Sequence, residues 1–229
     1  MTDARLFVVV PAAGGGARFG GDVPKQYADL DGAPVLARTL DRLSALQPQR
    51  MFVALSSDDR EYERRIGVRN DVLPLRCGGS TRAATVRNAL DAIAADCGRD
   101  DWVAVHDAVR PCVPVDALLR LVATLASDRV GGLLAVPLAD TLKRADGERV
   151  ARTENRESLW HAQTPQMFRY AILVEALRRD MHPPPTDEAQ AVEAIGARPR
   201  LVRGSAANVK ITYGEDLALA EAIWKGQRP

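Results

Sequence analysis

Apolar positions along this chain fall into two alternating rhythms. Short, nearly continuous apolar runs occur at Leu6 to Val10, Met51 to Leu55, Val72 to Leu75, Trp102 to His106 and Gly132 to Val136. Runs of that length, bounded by turn residues, predict strands buried on both faces. Between them the spacing becomes helical. Val86, Ala89, Leu90 and Ile93 share one face of a helix starting near Thr81, and Leu118, Leu121, Val122 and Leu125 do the same for one starting near Asp116. Such alternation predicts right-handed crossovers and an α/β fold built on a doubly wound, mostly parallel, Rossmann-like sheet. Ligands of such sheets sit beyond the carboxyl ends of the strands, so the segments after Val10 and Val105 are the first places to look for chemistry.

The rhythm breaks between Asp140 and Ser158. Here charged residues flank an Asp146-Gly147 turn signal, which predicts a β-hairpin arm over about 140–158 with little core of its own. An arm of that kind needs a partner, and a symmetric homodimer would supply one. Trp160 to Phe168 reads as a Pro-containing turn whose Trp160 and Phe168 seal the core, with the role of Thr164 left open. Pro183-Pro184-Pro185 is a stiff connector before a helix start at Thr186-Asp187-Glu188-Ala189. Asn208 to Thr212 reads as a short strand and Asp216 to Trp224 as a closing helix. One domain over residues 1–229, with the arm projecting from it, is the expected organisation.

Composition narrows the classes. The 229 residues are 46% hydrophobic, enough for a substantial core, and 31 basic against 30 acidic residues leave a net charge of +1. Nothing in that balance favours nucleic acid or an anionic membrane as partner. Cys77, Cys97 and Cys112 are odd in number and lack Cys-x-x-Cys spacing, so they read as reduced thiols. The first apolar run is too short for a signal peptide or a membrane span, and a cytoplasmic location is expected.

The densest chemical signal is Pro11-Ala12-Ala13-Gly14-Gly15-Gly16-Ala17-Arg18, followed by Pro24-Lys25-Gln26-Tyr27. No Gly-Lys-Ser/Thr closes the glycines, so it is not a P-loop. Phe19 stands where the dinucleotide fingerprint needs its last glycine. What remains is a turn that holds a nucleoside triphosphate through backbone N–H groups, Arg18 and Lys25. Asp107, at the end of a strand, admits two readings: a ligand for Mg²⁺ or a substrate hydroxyl, or a turn residue paired with Arg110. Its neighbour His106 should point to the opposite face. His161 and His182 lack ligand spacing, and no zinc site is assigned. In Gly78-Gly79-Ser80-Thr81-Arg82, Ser80 or Thr81 can cap the following helix. The same glycines allow close approach to a nucleobase edge, with Arg82 and Thr85 in reach.

Taken in order with His106-Asp107-Ala108-Val109-Arg110-Pro111, Asp140-Thr141-Leu142-Lys143-Arg144, Thr164-Pro165-Gln166, Thr186-Asp187-Glu188-Ala189 and Asn208-Val209-Lys210-Ile211-Thr212, these segments resemble the 2-C-methyl-D-erythritol 4-phosphate cytidylyltransferase family over nearly the whole chain. The resemblance implies a nucleotidyltransferase of the non-mevalonate isoprenoid pathway that joins CTP and methylerythritol phosphate, with Mg²⁺, in a dimer interlocked by the arm. Carried over by motif, Arg18 and Lys25 would act at the α-phosphate, and Arg156 and Lys210 would position the phosphorylated sugar alcohol. Pro11, Ala12, Ala13, Gly14, Gly15 and Gly16, with Gly79, Arg82 and Thr85, would hold the nucleotide. Asp107, Ala108, Arg110, Thr141, Thr164 and Thr186 would complete the substrate sites. Ser80 departs from the family's frequent acidic residue, and Thr85 keeps the hydroxyl of its frequent serine. Ribitol 5-phosphate cytidylyltransferase is the alternative, and the opening Pro11-Ala12-Ala13-Gly14 and Lys143 argue against it.

Overall fold

The computed structural model describes residues 4–15, 19–20 and 23–227. Strand β1 (Leu6–Pro11) lies inside a seven-stranded sheet with β4 (Arg50–Ala54), β5 (Val72–Leu75), β6 (Trp102–Val105), β7 (Gly131–Pro137), β10 (Trp160–Arg169) and β11 (Arg200–Arg203), in the order β11-β7-β10-β6-β1-β4-β5. β1 runs parallel to β4 and β6, β4 to β5, and β11 to β7. β10 alone is antiparallel to its neighbours β6 and β7. Two short ladders lie outside this sheet: β2 (Asp29–Leu30) with β3 (Ala33–Pro34), and β8 (Leu142–Asp146) with β9 (Arg149–Glu154).

Because side chains alternate across a strand, the apolar runs sort themselves onto the two faces. Val8, Val10, Met51, Val53 and Ala104 pack against Leu36, Leu40 and Leu43 of α1 (Val35–Leu43) and Leu118, Leu121 and Leu125 of α4 (Val115–Leu125). Phe7, Val9, Phe52, Val103 and Val105 face Val86 and Leu90 of α3 (Arg82–Ala92), Leu173 and Leu177 of α5 (Tyr170–Arg178) and Val192 of α6 (Glu188–Ala194). Short α2 (Glu61–Arg65) follows β4 and buries Tyr62 in the first cluster, and α7 (Glu215–Gly226) covers a third cluster through Trp224 and Ala220. None of the helices among the described residues is long and apolar enough to cross a membrane.

Two readings of the pattern need correction. Residues 160–168 form most of β10 rather than a turn, with Phe168 in the core but Trp160 36% exposed. The strand was hidden because its register shifts between Ala162 and Gln166 and its interior positions are polar. Residues 208–212 are not a strand. They cross the end of the sheet and include a single bond from Ile211 N–H to the Val109 carbonyl, without a ladder. The β8–β9 arm is as expected: a hairpin turning at Gly147, which has a positive φ of 57°, with nearly every side chain exposed.

Candidate active site

The parallel strands β1, β4, β5 and β6 end on one edge, which brings residues 12–15, 76–81 and 106–110 together. The antiparallel course of β10 places Gln166 opposite Val105, so residues 163–165 lie beside the last of these loops. Between the loops is a cavity of about 540 Å³ lined by Pro11, Ala12, Ala13, Gly14, Gly15, Lys25, Gly79, Arg82, Thr85, Asp107, Ala108 and Lys210, and also by Ser80, Thr81, Val109 and Thr212.

The glycine loop is held from behind. Buried Gln26 donates through Nε2 to the carbonyls of Ala12 (2.9 Å) and Gly14 (3.3 Å). The next residue, Tyr27, is anchored by its hydroxyl to Asp59 Oδ2 at 2.8 Å, and burial followed by that carboxylate raises its pKa. Two carbonyls of the loop are thus tied back, and backbone N–H groups in glycine-rich segments suit an anion. Lys25 sits in the same short 3₁₀ turn, Lys25–Tyr27, and its ammonium group donates to the Ile211 carbonyl at 3.2 Å.

On the opposite wall, Thr81 is the N-cap of α3, its hydroxyl accepting from Ala84 N–H at 3.0 Å. The Thr85 hydroxyl donates to the Thr81 carbonyl and accepts from Gly79 N–H, each at 3.0 Å. Arg82 then projects between two buried carboxylates. Its Nε donates to Asp107 Oδ1 at 2.9 Å, and its two terminal nitrogens form a fork on Glu188 at 2.6 and 3.1 Å.

Asp107 is the charge centre of the site. Oδ2 accepts from Lys210 Nζ at 2.9 Å and faces Arg110 Nε at 3.4 Å. Burial would raise this carboxyl, but Arg82, Lys210 and Arg110 outweigh it and hold Asp107 well below the usual carboxylate range. Burial works against the charge on Arg82 too, and Glu188 and Asp107 reverse it, raising its pKa. Burial pushes Glu188 upward while Arg82 opposes the shift. His106, fully buried and not among the residues lining the cavity, is pushed down to about 4 by burial.

The remaining sequence-derived candidates fall into three groups. Arg18 and Gly16 lie outside the described residues. Arg110 and Thr164 stand behind the cavity: Arg110 donates to the Asn208 carbonyl at 2.6 Å, and the Thr164 hydroxyl accepts from Asp107 N–H at 3.1 Å. Thr141, Arg156 and Thr186 are exposed and do not line the cavity. The Arg156 guanidinium donates to the Ala139 carbonyl at the root of the arm, and Thr186 bonds to Gln190 Oε1.

Asp107 does not fit the metal-ligand reading. Cations already engage both its oxygens, and among the described residues no group of three or more His, Cys, Asp or Glu could hold an ion. Sequence reasoning passed over Gln26, Glu188 and Asn208. An acidic first residue in a helix signals only a favourable helix dipole, and burial of Glu188 comes from α6 packing on α5.

A glycine loop, a cluster of cations and a cavity at the carboxyl edge of a mostly parallel sheet define an α/β nucleotidyltransferase. The sequence model of the 2-C-methyl-D-erythritol 4-phosphate cytidylyltransferases matches residues 6–226, and the chain belongs to that family. It is 52% identical over 232 residues to a 2-C-methyl-D-erythritol 4-phosphate cytidylyltransferase of Dechloromonas aromatica, covering 98% of this chain and 99% of that protein. A protein of the same name from Laribacter hongkongensis is 54% identical over 224 residues, covering 96% of each chain. The crystal structure of a 4-diphosphocytidyl-2C-methyl-D-erythritol synthase superposes with a TM-score of 0.87 at 35% identity, covering 98% of this chain and all of that one.

Proposed function

We propose that the chain transfers the cytidylyl group of CTP to 2-C-methyl-D-erythritol 4-phosphate. A phosphate oxygen of the sugar alcohol attacks the α-phosphorus of CTP. The new P–O bond forms as the bond to the β-phosphate breaks, and pyrophosphate leaves with the electron pair. The attacking oxygen is already ionised at neutral pH, so no general base is needed, and catalysis consists of alignment and charge neutralisation. The observation that carries this reading is the convergence of Lys25, Arg82 and Lys210 on one cavity beside a glycine loop. Lys25, with Arg18, would offset charge developing at the α-phosphate, and Lys210 would meet the incoming phosphate. The family membership favours methylerythritol phosphate over ribitol 5-phosphate as acceptor.

Mg²⁺ would enter this scheme with the triphosphate and would neutralise charge there, since both oxygens of Asp107 are engaged by cations. The exposed arm would pack on a second subunit and deliver Arg156 there, where a planar guanidinium suits a phosphate. Pyrophosphate release measured with CTP, ATP, GTP and UTP, each paired with methylerythritol phosphate or ribitol 5-phosphate, tests the assignment. Only CTP with methylerythritol phosphate should be turned over well, and equal use of ATP or of ribitol 5-phosphate overturns it. For the arm, Arg156→Ala and Lys25→Ala homodimers should each be nearly inactive, and mixed dimers should regain one working site. Mixed dimers as inactive as both parents would return Arg156 to its own subunit.

A further inference from the structure

We propose that His106 and Thr164 are positioning residues, linked in a hydrogen-bond relay of fixed direction that aims Asp107 and Arg110. The inference rests on the cytidylyl-transfer reading for its kinetic consequences but not for its geometry.

The direction follows from what each group can do. The Arg110 carbonyl can only accept, so His106 Nε2, 3.1 Å away, carries the ring proton. The Asp107 N–H can only donate, so Thr164 Oγ1 accepts from it at 3.1 Å. A neutral ring protonated on Nε2 leaves Nδ1 as an acceptor, and the Thr164 hydroxyl proton points there across 3.1 Å. One tautomer satisfies all three contacts. His106 has no solvent exposure and Thr164 only 4%, so water offers little competition. Burial lowers the His106 pKa to about 4 and, with the charges of Arg110 and Arg82, keeps the ring in the neutral form this relay needs against the hydrogen bond to the Arg110 carbonyl and the Asp107 charge.

Both ends of the loop that carries the charge centre are therefore pinned: Asp107 through its N–H and Arg110 through its carbonyl, with Arg110 N–H closing the turn onto the Asp107 carbonyl at 3.2 Å. Thr164 reaches a third segment as well. Its carbonyl accepts from Asn208 Nδ2 at 2.8 Å, and the Asn208 carbonyl accepts from Arg110 Nη1 at 2.6 Å, two residues before Lys210. The register shift in β10 between Ala162 and Gln166 turns Thr164 toward these segments, a use typical of strand irregularities beside active sites. A relay that holds three catalytic-site segments in register acts on turnover more than on capture of either substrate.

The test compares kcat and KM of the wild type, Thr164→Val, Thr164→Ser, His106→Gln and the Thr164→Val/His106→Gln double variant. His106→Gln keeps a donor for Arg110 but lacks an acceptor at the Nδ1 position. Thr164→Val and His106→Gln should each lower kcat by about tenfold, the scale of one buried hydrogen bond. Thr164→Ser should restore most of the rate, and the double variant should be no worse than the poorer single one. Losses that multiply in the double variant, or a Thr164→Val effect confined to KM for methylerythritol phosphate, overturn the proposal. Nitrogen-15 NMR of the imidazoles of the intact wild-type protein, with His106 assigned through its variant, gives a readout independent of activity. A ring protonated on Nε2, whose Nδ1 resonance moves in Thr164→Val, is the expected result, and a ring protonated on Nδ1 refutes the relay. If the wild type transfers no cytidylyl group, the functional reading falls while the NMR result still decides the relay.

Discussion

A Cβ added at Gly78 would lie 2.6 Å from the Cβ of Ala13, and one at Gly79 would lie 2.7 Å from the Cβ of Ala84, whereas at Gly14 or Gly15 it would meet nothing within 4 Å. Gly14, Gly15 and Gly79 line one cavity, with Gly78 behind the last, and the two glycine pairs have opposite demands. The second pair is glycine because the loop after β5 packs directly on the first loop and on the start of α3. The first pair is under no such constraint from the protein, and its backbone needs no positive φ. An empty space beside Gly14 and Gly15 is what a phosphate requires of a backbone that must come close to it. One wall of the site is thus open at its glycines and the other is packed tight.

The contrast can be broken or sharpened by substitution and by pH. The largest effect should come from the open wall: Lys25→Ala should lower kcat by ~10²–10³-fold, the scale for removing one preorganised charge from a transition state. Its thermal midpoint should barely move, because Lys25 is not in the core. Turnover near that of the wild type in a folded Lys25→Ala protein would remove the phosphate cradle from the argument.

The next effect belongs to the buried support behind the cavity and depends on pH. The folded-state pKa of His106 lies at about 4 against an ordinary 6.5. Between these values the unfolded chain binds a proton that the folded chain does not, so stability should fall as the pH drops from 6.5 toward 4, by on the order of 3 kcal/mol. Asp107, whose carboxyl is held low by Arg82, Lys210 and Arg110 against the effect of burial, adds a further loss only below the ordinary carboxylate range. Chemical denaturation from pH 7 down to pH 4 should show the first slope in the wild type, and His106→Gln should flatten it. An unchanged slope would assign it to other groups.

Smaller again is the steric test. Gly79→Ala should destabilise by ~1–3 kcal/mol, as overpacking does, which a denaturant midpoint reads directly. Gly15→Ala should leave stability within about 0.5 kcal/mol yet raise KM for CTP by about tenfold, the scale of one hydrogen bond to a charged group. If both variants lose stability equally, the distinction between the walls disappears.

Much of this architecture was legible because the central strands are buried on both faces and appear in the sequence as continuous apolar runs. β1, β4 and β6 could be read that way, and the loops after β1 and β6 then located the cavity; β5 carries a similar apolar run but is an edge strand with Leu73 exposed, not one buried on both faces. Helix α1 was equally readable from Leu36, Leu40 and Leu43 but was passed over. β10 and Glu188 were not legible in the same sense. The polar interior of β10, Gln163, Thr164 and Gln166, is buried because its partners come from residues far away in sequence: Ser205, His106 and Asp187. No local pattern records such pairing. Asp107 was found, but its nearest neighbours, Arg82 and Lys210, come from other segments and turn a plausible metal ligand into the anchor of a cation cluster.

β10 has a mechanical consequence as well. This one strand starts at the base of the exposed arm with Trp160, passes Thr164 behind the cavity, enters the core at Phe168 and ends at half-buried Arg169. Ten residues of strand span about 33 Å; Gln166 to Phe168 are paired on both edges, to β6 and to β7, whereas Trp160 to Ala162, next to the arm, are paired to β7 alone. The root of the arm is therefore tied to the sheet along one edge, and a load on its tip enters the body through β7.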